Sequence, residues 1–272
     1  MNGREIARGI IEELKKLPRP GKKLAAVLVG ENEAARVFLQ EKEKIARELG
    51  ISFALVVLDE NVSQDELARV VEQFSIDGTV GGIIIQLPLP PGINQAAVIE
   101  KLAVLKDIDN LTGRAPVAAP AVLVVQAILD WLPDRSEFKK FKSLKSLRVV
   151  VVGSKGFLVG RPVCRWLDKK RKERAKLEIR AVDVETKNLK PVLADADLVI
   201  SGVGQAGLIN PVWLKRGAGV IDFGYPPDFG SWKLEVGGWK PAFYTPTPGG
   251  TGPILVAGLW KNFFLLNNRF VL

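Results

Sequence analysis

The chain is 272 residues long, 47% hydrophobic and 25% charged, a balance that suits packed globular cores and, by length alone, roughly two domains. Its 39 Lys and Arg against 30 Asp and Glu leave a formal charge of +9, which favours anionic ligands such as phosphates and acidic small molecules. One cysteine and no histidine exclude a disulfide framework, cysteine-rich or histidine-ligated metal sites and any histidine triad, so acid–base chemistry falls to Lys, Asp, Glu, Tyr or Cys164.

The start, Met1–Glu5, lacks the apolar core of a signal peptide, and no stretch approaches the ~18 apolar residues of a membrane span. With the single cysteine, this leads to the expectation of a cytoplasmic protein without membrane contact. Leu24–Val29 is an apolar run ending at Gly30 and predicts a strand; Ala34–Leu49 predicts a helix, Ser52–Leu58 a strand and Ser63–Ser75 a helix. The last opens Ser63-Gln64-Asp65-Glu66, a capping box, and places Leu67, Val70, Val71 and Phe74 at helical spacing. Gly82–Gln86 reads as a strand stopped by Leu87-Pro88-Leu89-Pro90-Pro91. Ala121–Leu132 reads as a helix, and the lysine-rich Pro133–Ser146 after it as a polar linker. The strands Leu147–Val152, Leu177–Val182, Leu198–Gly202 and Gly219–Asp222 follow, then an apolar helix Pro253–Phe264. Alternating strands and helices of this kind imply mainly parallel sheets covered by helices, an α/β fold. The basic run Lys169–Arg174 reads as a solvated helix end. No aromatic residues interleave it, so no nucleic-acid platform is expected.

Three places carry candidate chemistry. The strand Val149–Val152 runs into Gly153-Ser154-Lys155-Gly156-Phe157-Leu158-Val159-Gly160-Arg161-Pro162, a glycine-rich turn before a helix. That context suits a dinucleotide, because glycine lets the backbone approach a pyrophosphate at a helix N-terminus. Ser201-Gly202-Val203-Gly204, after a later strand, is a second close-approach loop at the same sheet edge. In the first half, Phe38, Lys42, Ile45 and Leu49 fall on one helical stripe, three apolar residues around a lysine. Lys42 either snorkels to the rim or is a desolvated lysine with a lowered pKa. Gln86 ends an apolar strand, where open α/β sheets place ligand contacts, and Asp107 and Asp109 alternate onto one face of an extended segment.

Together these features resemble the methylenetetrahydrofolate dehydrogenase/cyclohydrolase (FolD) family over nearly the whole length. The resemblance is carried by Thr245-Pro246-Thr247-Pro248-Gly249-Gly250-Thr251-Gly252-Pro253 and by Val80–Pro90, with its Ile83-Ile84-Ile85-Gln86-Leu87-Pro88. Lys106-Asp107-Ile108-Asp109, Val159-Gly160-Arg161-Pro162 and Val220-Ile221-Asp222-Phe223-Gly224 also match. It implies a folate-side α/β domain over residues 1–120 completed by a C-terminal helix at 253–272. It also implies a Rossmann-like NAD(P) domain over residues 121–252, with the active site in the cleft between the two. It implies Lys42 as the catalytic lysine, Gln86 as its hydrogen-bond partner and Asp109 on the pterin, with Phe38, Leu87, Pro88, Pro248, Gly249 and Gly250 lining the folate site. The cofactor set is Gly153, Ser154, Lys155, Gly160, Arg161, Pro162, Asp183, Gly202, Val203, Gly204 and Tyr225, with no metal. The implied activity is oxidation of 5,10-methylenetetrahydrofolate to the methenyl form with NAD or NADP, then hydrolysis to 10-formyltetrahydrofolate by a homodimer. The substrate is a folate, with or without a polyglutamate tail.

The chain departs from the family pattern at particular residues. Phe38 stands where members usually carry tyrosine, Ala118-Ala119-Pro120 where they carry Cys-Thr-Pro, and Asn110 where glycine follows the acidic pair. Ile254-Leu255 replaces Met-Thr, and the first glycine loop is one residue longer. The missing hydroxyl at Phe38 leads us to expect hydrolysis weaker than hydride transfer. Asp183-Val184-Glu185, ending the second strand of the Rossmann-like half, would repel a 2′-phosphate, so NAD is expected to serve at least as well as NADP. Lys155 on the lengthened loop points the other way. The rival readings are another two-domain dehydrogenase, of shikimate or amino-acid type, and a non-catalytic folate- or nucleotide-binding homologue.

Overall fold

The computed structural model describes residues 1–173, 176–230 and 240–268, of Ala34 the backbone alone. The first half runs α1 (Gly3–Lys15), β1 (Lys23–Val29), α2 (Glu33–Leu49), β2 (Phe53–Leu58), α3 (Gln64–Ile76), β3 (Val80–Ile85), α4 (Gln95–Glu100) and a 3-10 turn at Val104–Lys106. The second runs α5 (Pro120–Trp131), α6 (Ser136–Ser143), β4 (Arg148–Val152), α7 (Gly160–Glu173), β5 (Glu178–Val182), α8 (Lys190–Leu193), β6 (Leu198–Ser201), β7 (Gly219–Asp222), β8 (Phe243–Tyr244) and α9 (Thr251–Asn267). The chain divides into two compact units. One holds Met1–Ala7 with Ala121–Leu255, the other Arg8–Pro120 with the chain from Val256 on, so the divisions fall within α1 and α9. No helix among the described residues is long and apolar enough to cross a membrane.

The unit containing Ala121–Leu255 is built on a five-stranded parallel sheet in the order β5-β4-β6-β7-β8, with Val152 beside both Val182 and Ser201 at the carboxyl edge. The central strands β4, β6 and β7 are buried, which is why they read as continuous apolar runs rather than alternating ones. The lysine-rich stretch after Leu132 is not the linker its polarity suggests. It forms α6, because Phe138 and Phe141 lie one helical turn apart and are both buried. The Phe141 ring meets Phe243 edge-on at 5.1 Å, while Lys140 reaches Asp197 at 3.0 Å. Arg174, closing the expected basic run, lies outside the described residues, as do 269–272 of the expected C-terminal helix.

The other unit carries a three-stranded parallel sheet in the order β2-β1-β3. β1 from Leu24 on and all of β3 are buried, while β2, at the edge, is only partly covered. On α3 the cap at Ser63 accepts from the Glu66 amide at 3.2 Å, so that side of the expected capping box is formed. Part of α1 belongs here and escaped the sequence reading, although Ile11 and Leu14 bury one face of it. Glycines decide how α9 meets β3. A Cβ on Gly82 would lie 2.8 Å from the Phe263 ring, and one on Gly81 2.5 Å from the Asn267 amide, whose nitrogen instead donates to the Gly81 carbonyl at 2.9 Å. The contact is therefore possible only with bare backbone at both positions. One turn earlier on α9, fully buried Asn262 donates from one nitrogen to the carbonyls of Ile108 (2.7 Å) and Ala118 (2.8 Å), tying both ends of the 108–118 loop to the helix. Asn262→Ala leaves those carbonyls without that donor while removing an Oδ1 that itself lacks a partner. The expected loss is about 2 kcal/mol, read as a lower midpoint in urea unfolding.

Candidate active site

The best-defined cluster of chemistry sits in the three-stranded unit, on α2 and the carboxyl end of β3. α2 is fixed at both ends: Asn32 accepts from the Ala35 amide at 2.9 Å, and Gly50 closes it in the left-handed conformation at φ 67°. Its buried stripe is Ala35, Leu39, Lys42, Ala46 and Leu49, with Phe38 and Ile45 half-buried on its shoulder. The stripe is thus rotated slightly from the one read off the sequence, with Ala35 and Ala46 buried where Phe38 and Ile45 are only half-buried. Lys42 remains in the middle of it, 7% exposed, and does not snorkel. Its Nζ donates to Gln86 Oε1 at 3.0 Å. Gln86 is held by its own amide, which donates to the Val27 carbonyl and extends the ladder past β3, while its Nε2 donates to the Leu87 carbonyl at 3.1 Å. That tie turns Oε1 toward the lysine. Burial lowers the Lys42 pKa from its ordinary value, and Asp109 partly opposes this.

The Lys106–Asn110 segment is a turn, not the extended chain that would put both acids on one face. Asp107 is fully buried and accepts from the amides of Leu111 and Thr112 at 2.8 Å each and from the Thr112 hydroxyl at 2.7 Å, so it caps the turn. Lys106 donates to the carbonyls of Phe74 and Asp77, closing the end of α3. Asn110, at φ 52°, takes the left-handed position that glycine otherwise fills, and its side chain bonds the Val117 carbonyl and the Ala115 amide. These bonds leave Asp109 facing Lys42. Among the described residues its carboxylate accepts no hydrogen bond. Burial pushes its pKa from the ordinary 3.8 to about 6, against the pull of Lys42 and with a push from Asp107.

In the five-stranded unit the turn after β4 is a tight cradle. Gly153 sits at φ 79°, the amides of Gly153 and Ser154 both donate to Val182 at 3.0 Å, and Arg161 donates to Gly156 at 2.9 Å. A Cβ on Gly160 would lie 2.0 Å from the Gly153 carbonyl oxygen, so the first turn of α7 folds over bare backbone. Such a cradle at a helix N-terminus fits the pyrophosphate of a dinucleotide. Asp183 and Glu185 both turn to this loop: Lys155 donates from its amide to Asp183 at 3.2 Å and pairs through Nζ with Glu185 at 2.9 Å. Arg161 and Tyr225 are exposed and Pro162 is half-buried.

Lys42, Gln86 and Asp109 therefore come together, with Phe38 and Leu87 half-buried and Pro88 exposed nearby in sequence. Pro248, Gly249 and Gly250 fall in the five-stranded unit, where the Gly249 carbonyl accepts from the Gly3 amide at 2.9 Å. Sequence reasoning quoted Asp222 only within a matching motif, without a role, and missed Asp228; both are buried carboxylates in that unit. Asp228 follows two prolines in what reads as a loop, and no periodicity marks it. Cys164 takes no part: burial raises its thiol to about 11.

A buried lysine facing a carboxylate on one α/β unit, with a glycine cradle on a second, Rossmann-like unit, defines a two-domain enzyme of the dinucleotide-binding class. The model of the tetrahydrofolate dehydrogenase/cyclohydrolase catalytic domain matches residues 1–109, and that of the same family's NAD(P)-binding domain matches 138–270. The chain belongs to the tetrahydrofolate dehydrogenase/cyclohydrolase family. It is 32% identical to the bifunctional protein FolD of Ligilactobacillus salivarius, over 100% of this chain and 96% of that one. Among solved structures it resembles the Trypanosoma brucei methylenetetrahydrofolate dehydrogenase-cyclohydrolase complexed with NADP and an inhibitor (27% identity, TM-score 0.85, covering 100% and 97%). The Campylobacter jejuni bifunctional enzyme follows at 26% identity and TM-score 0.83, covering 98% and 97%. Shikimate dehydrogenase of Aquifex aeolicus shares only the fold, at 14% identity and TM-score 0.53, covering 94% and 96%, so the rival dehydrogenase reading is not favoured.

The Asp109 carboxyl should titrate at about 6 rather than at 3.8, followed by carbon-13 NMR. Lys42→Met, by removing the cation that holds it down, should move that midpoint higher still; an unchanged or lower midpoint contradicts the electrostatic coupling.

Proposed function

We propose that this protein oxidises 5,10-methylenetetrahydrofolate to the methenyl form with a nicotinamide dinucleotide, and more slowly hydrolyses that product to 10-formyltetrahydrofolate. The single observation that carries the reading is the buried Lys42, held by Gln86 at 3.0 Å and faced by Asp109. A desolvated amine has a larger neutral fraction near neutral pH than an ordinary lysine, so it can take and return a proton where histidine is missing. In hydrolysis, water adds to the methenyl carbon of the cationic substrate and gives one proton to the Lys42 amine. The resulting carbinol then loses its hydroxyl proton as the carbon–N5 bond breaks and N5 gains a proton, so that one proton is released overall and Lys42 passes it to solvent. Gln86 keeps Nζ on one side of this exchange. Asp109, whose carboxylate has no hydrogen-bond donor among the described residues, is suited to accept from the amino and ring N–H groups of a pterin. Phe38, half-buried one turn before Lys42, offers an apolar ring to stack and no hydroxyl to orient water. The net charge of +9 suits the carboxylates of a folate tail.

The nicotinamide, when bound, accepts hydride from the folate methylene. Gly153, Ser154 and the start of α7 at Gly160, Arg161 and Pro162 would hold its pyrophosphate, and Asp183 its adenosine ribose. Two carboxylates stand at the end of β5, and Lys155 is drawn to Glu185 rather than left open to a phosphate. This supports NAD serving at least as well as NADP. Homodimer assembly and a cytoplasmic location rest on the family resemblance and, for location, on the single cysteine.

Two assays test these readings. The first follows NAD(P)H formation and methenyl decay separately. Lys42→Met should fold and lose hydrolysis, whereas Phe38→Tyr should raise hydrolysis selectively, on the order of ten- to a hundredfold, the size of one hydrogen bond to a charged group. Normal hydrolysis in the Met variant overturns the role of Lys42. The second compares kcat/KM for the two cofactors. Wild type should use NAD at least as well as NADP and Asp183→Ser should shift the ratio toward NADP; a strong wild-type preference for NADP contradicts the assignment.

A further inference from the structure

The second loop at the carboxyl edge of the nucleotide sheet follows β6, and its backbone donors are already taken. Asp228 is fully buried, and both of its carboxylate oxygens are occupied. One accepts from the Ser201 hydroxyl and from the Val203 amide at 2.8 Å, the other from the amides of Gly204 at 2.7 Å and Gln205 at 2.8 Å. Three successive amides converging on one anion form the kind of concavity that elsewhere binds phosphate. Among the described residues no Lys or Arg forms a salt bridge with Asp228, so those four donors are its compensation for burial. The surroundings are shaped to admit it. A Cβ on Gly224 would lie 2.8 Å from the Asp228 carboxyl carbon, and Gly204, at φ 78°, lies under the Tyr225 carbonyl. Asp222, also buried, caps the Gly224 and Phe229 amides on either side of Asp228, so the carboxylate is fixed from its own chain as well.

The strand order places this loop. β4 lies inside the sheet with β5 on one side and β6 on the other. In a doubly wound sheet the dinucleotide lies across the first glycine loop, with its adenosine over the second strand and its other half over the strands beyond the switch point. The acids at the end of β5 are on the adenosine side; the Ser201–Gln205 loop is on the other. We propose that Asp228 is a positioning residue for the nicotinamide half of the cofactor. As a built-in anion it holds the Ser201–Gln205 loop in its binding shape and occupies the amides that would otherwise attract phosphate, which leaves the pyrophosphate to the Gly153–Gly160 cradle alone. The inference rests on the nicotinamide dinucleotide being the cofactor.

Calorimetric titration of the protein without substrate tests it, using NAD, NADP and ADP-ribose, which lacks the nicotinamide. Asp228→Asn keeps the size but turns an NH2 toward backbone donors, so the loop must shift. The full dinucleotide should bind at least tenfold more weakly while ADP-ribose holds within twofold. Ser201→Ala, which removes one donor and no backbone bond, should show the same split more weakly, and it decides the question should the Asn variant not fold. Equal losses for both ligands, a loss for ADP-ribose alone, or no change overturns the proposal. Failure of wild type to bind either dinucleotide or ADP-ribose would instead overturn the cofactor assignment beneath it.

Discussion

A charged amine buried in the inner stripe of a helix is costly unless its surroundings are arranged for it, and in the three-stranded unit much of the arrangement answers that cost. Lys42 takes a position where α2 otherwise buries alanine and leucine. Gln86 can meet it only because β3 continues one residue past its last paired position and because Nε2 is anchored to Leu87. Asp109 can face it only because Asp107 turns inward and caps the following turn. The acidic pair is therefore divided by role: Asp107 is satisfied by two backbone amides and the Thr112 hydroxyl, whereas Asp109, with no hydrogen-bond donor among the described residues, is electrostatically tied to the lysine.

The nucleotide unit solves the converse problem. Its two glycine loops lie side by side after β4 and β6, where a Cβ on Gly153 would meet Val203 at 2.9 Å. In the first, Gly153 and Gly160 let the chain fold tightly, and the amides of Gly153, Ser154, Gly156 and Arg161 are bonded to backbone carbonyls. In the second, three successive amides are filled by the Asp228 side chain, supplied from more than twenty positions downstream.

The departures from the family pattern are absorbed locally. Asn110 fills a left-handed position that a β-branched or bulky residue could not, and it adds two bonds that close the 110–117 loop. Ala118 loses a polar side chain, yet its carbonyl still receives Asn262. Phe38 sits half-buried on α2, one turn before Lys42.

Local pattern was enough to recover the alternation of strands and helices, the buried parallel strands, the glycine cradle and the lysine that breaks an apolar stripe. Each is written in neighbouring residues, as periodicity, as a run of apolar residues or as a turn motif. The sequence by itself also determined which chemistries were barred, since a chain without histidine must place its proton transfers elsewhere. It did not reveal α6, whose helix depends on Phe141 meeting Phe243 about a hundred residues away. Nor did local pattern separate Asp107 from Asp109, a distinction only the family resemblance drew, because alternation in an extended chain and a capped turn present the same letters. Asp228 was invisible, since a carboxylate among prolines becomes an internal anion only when β6 and β7 bring the Ser201–Gln205 amides around it. Those features were decided by tertiary structure alone: each depends on a donor, ring or backbone supplied from a distant part of the chain, and local spacing carries no record of that partner.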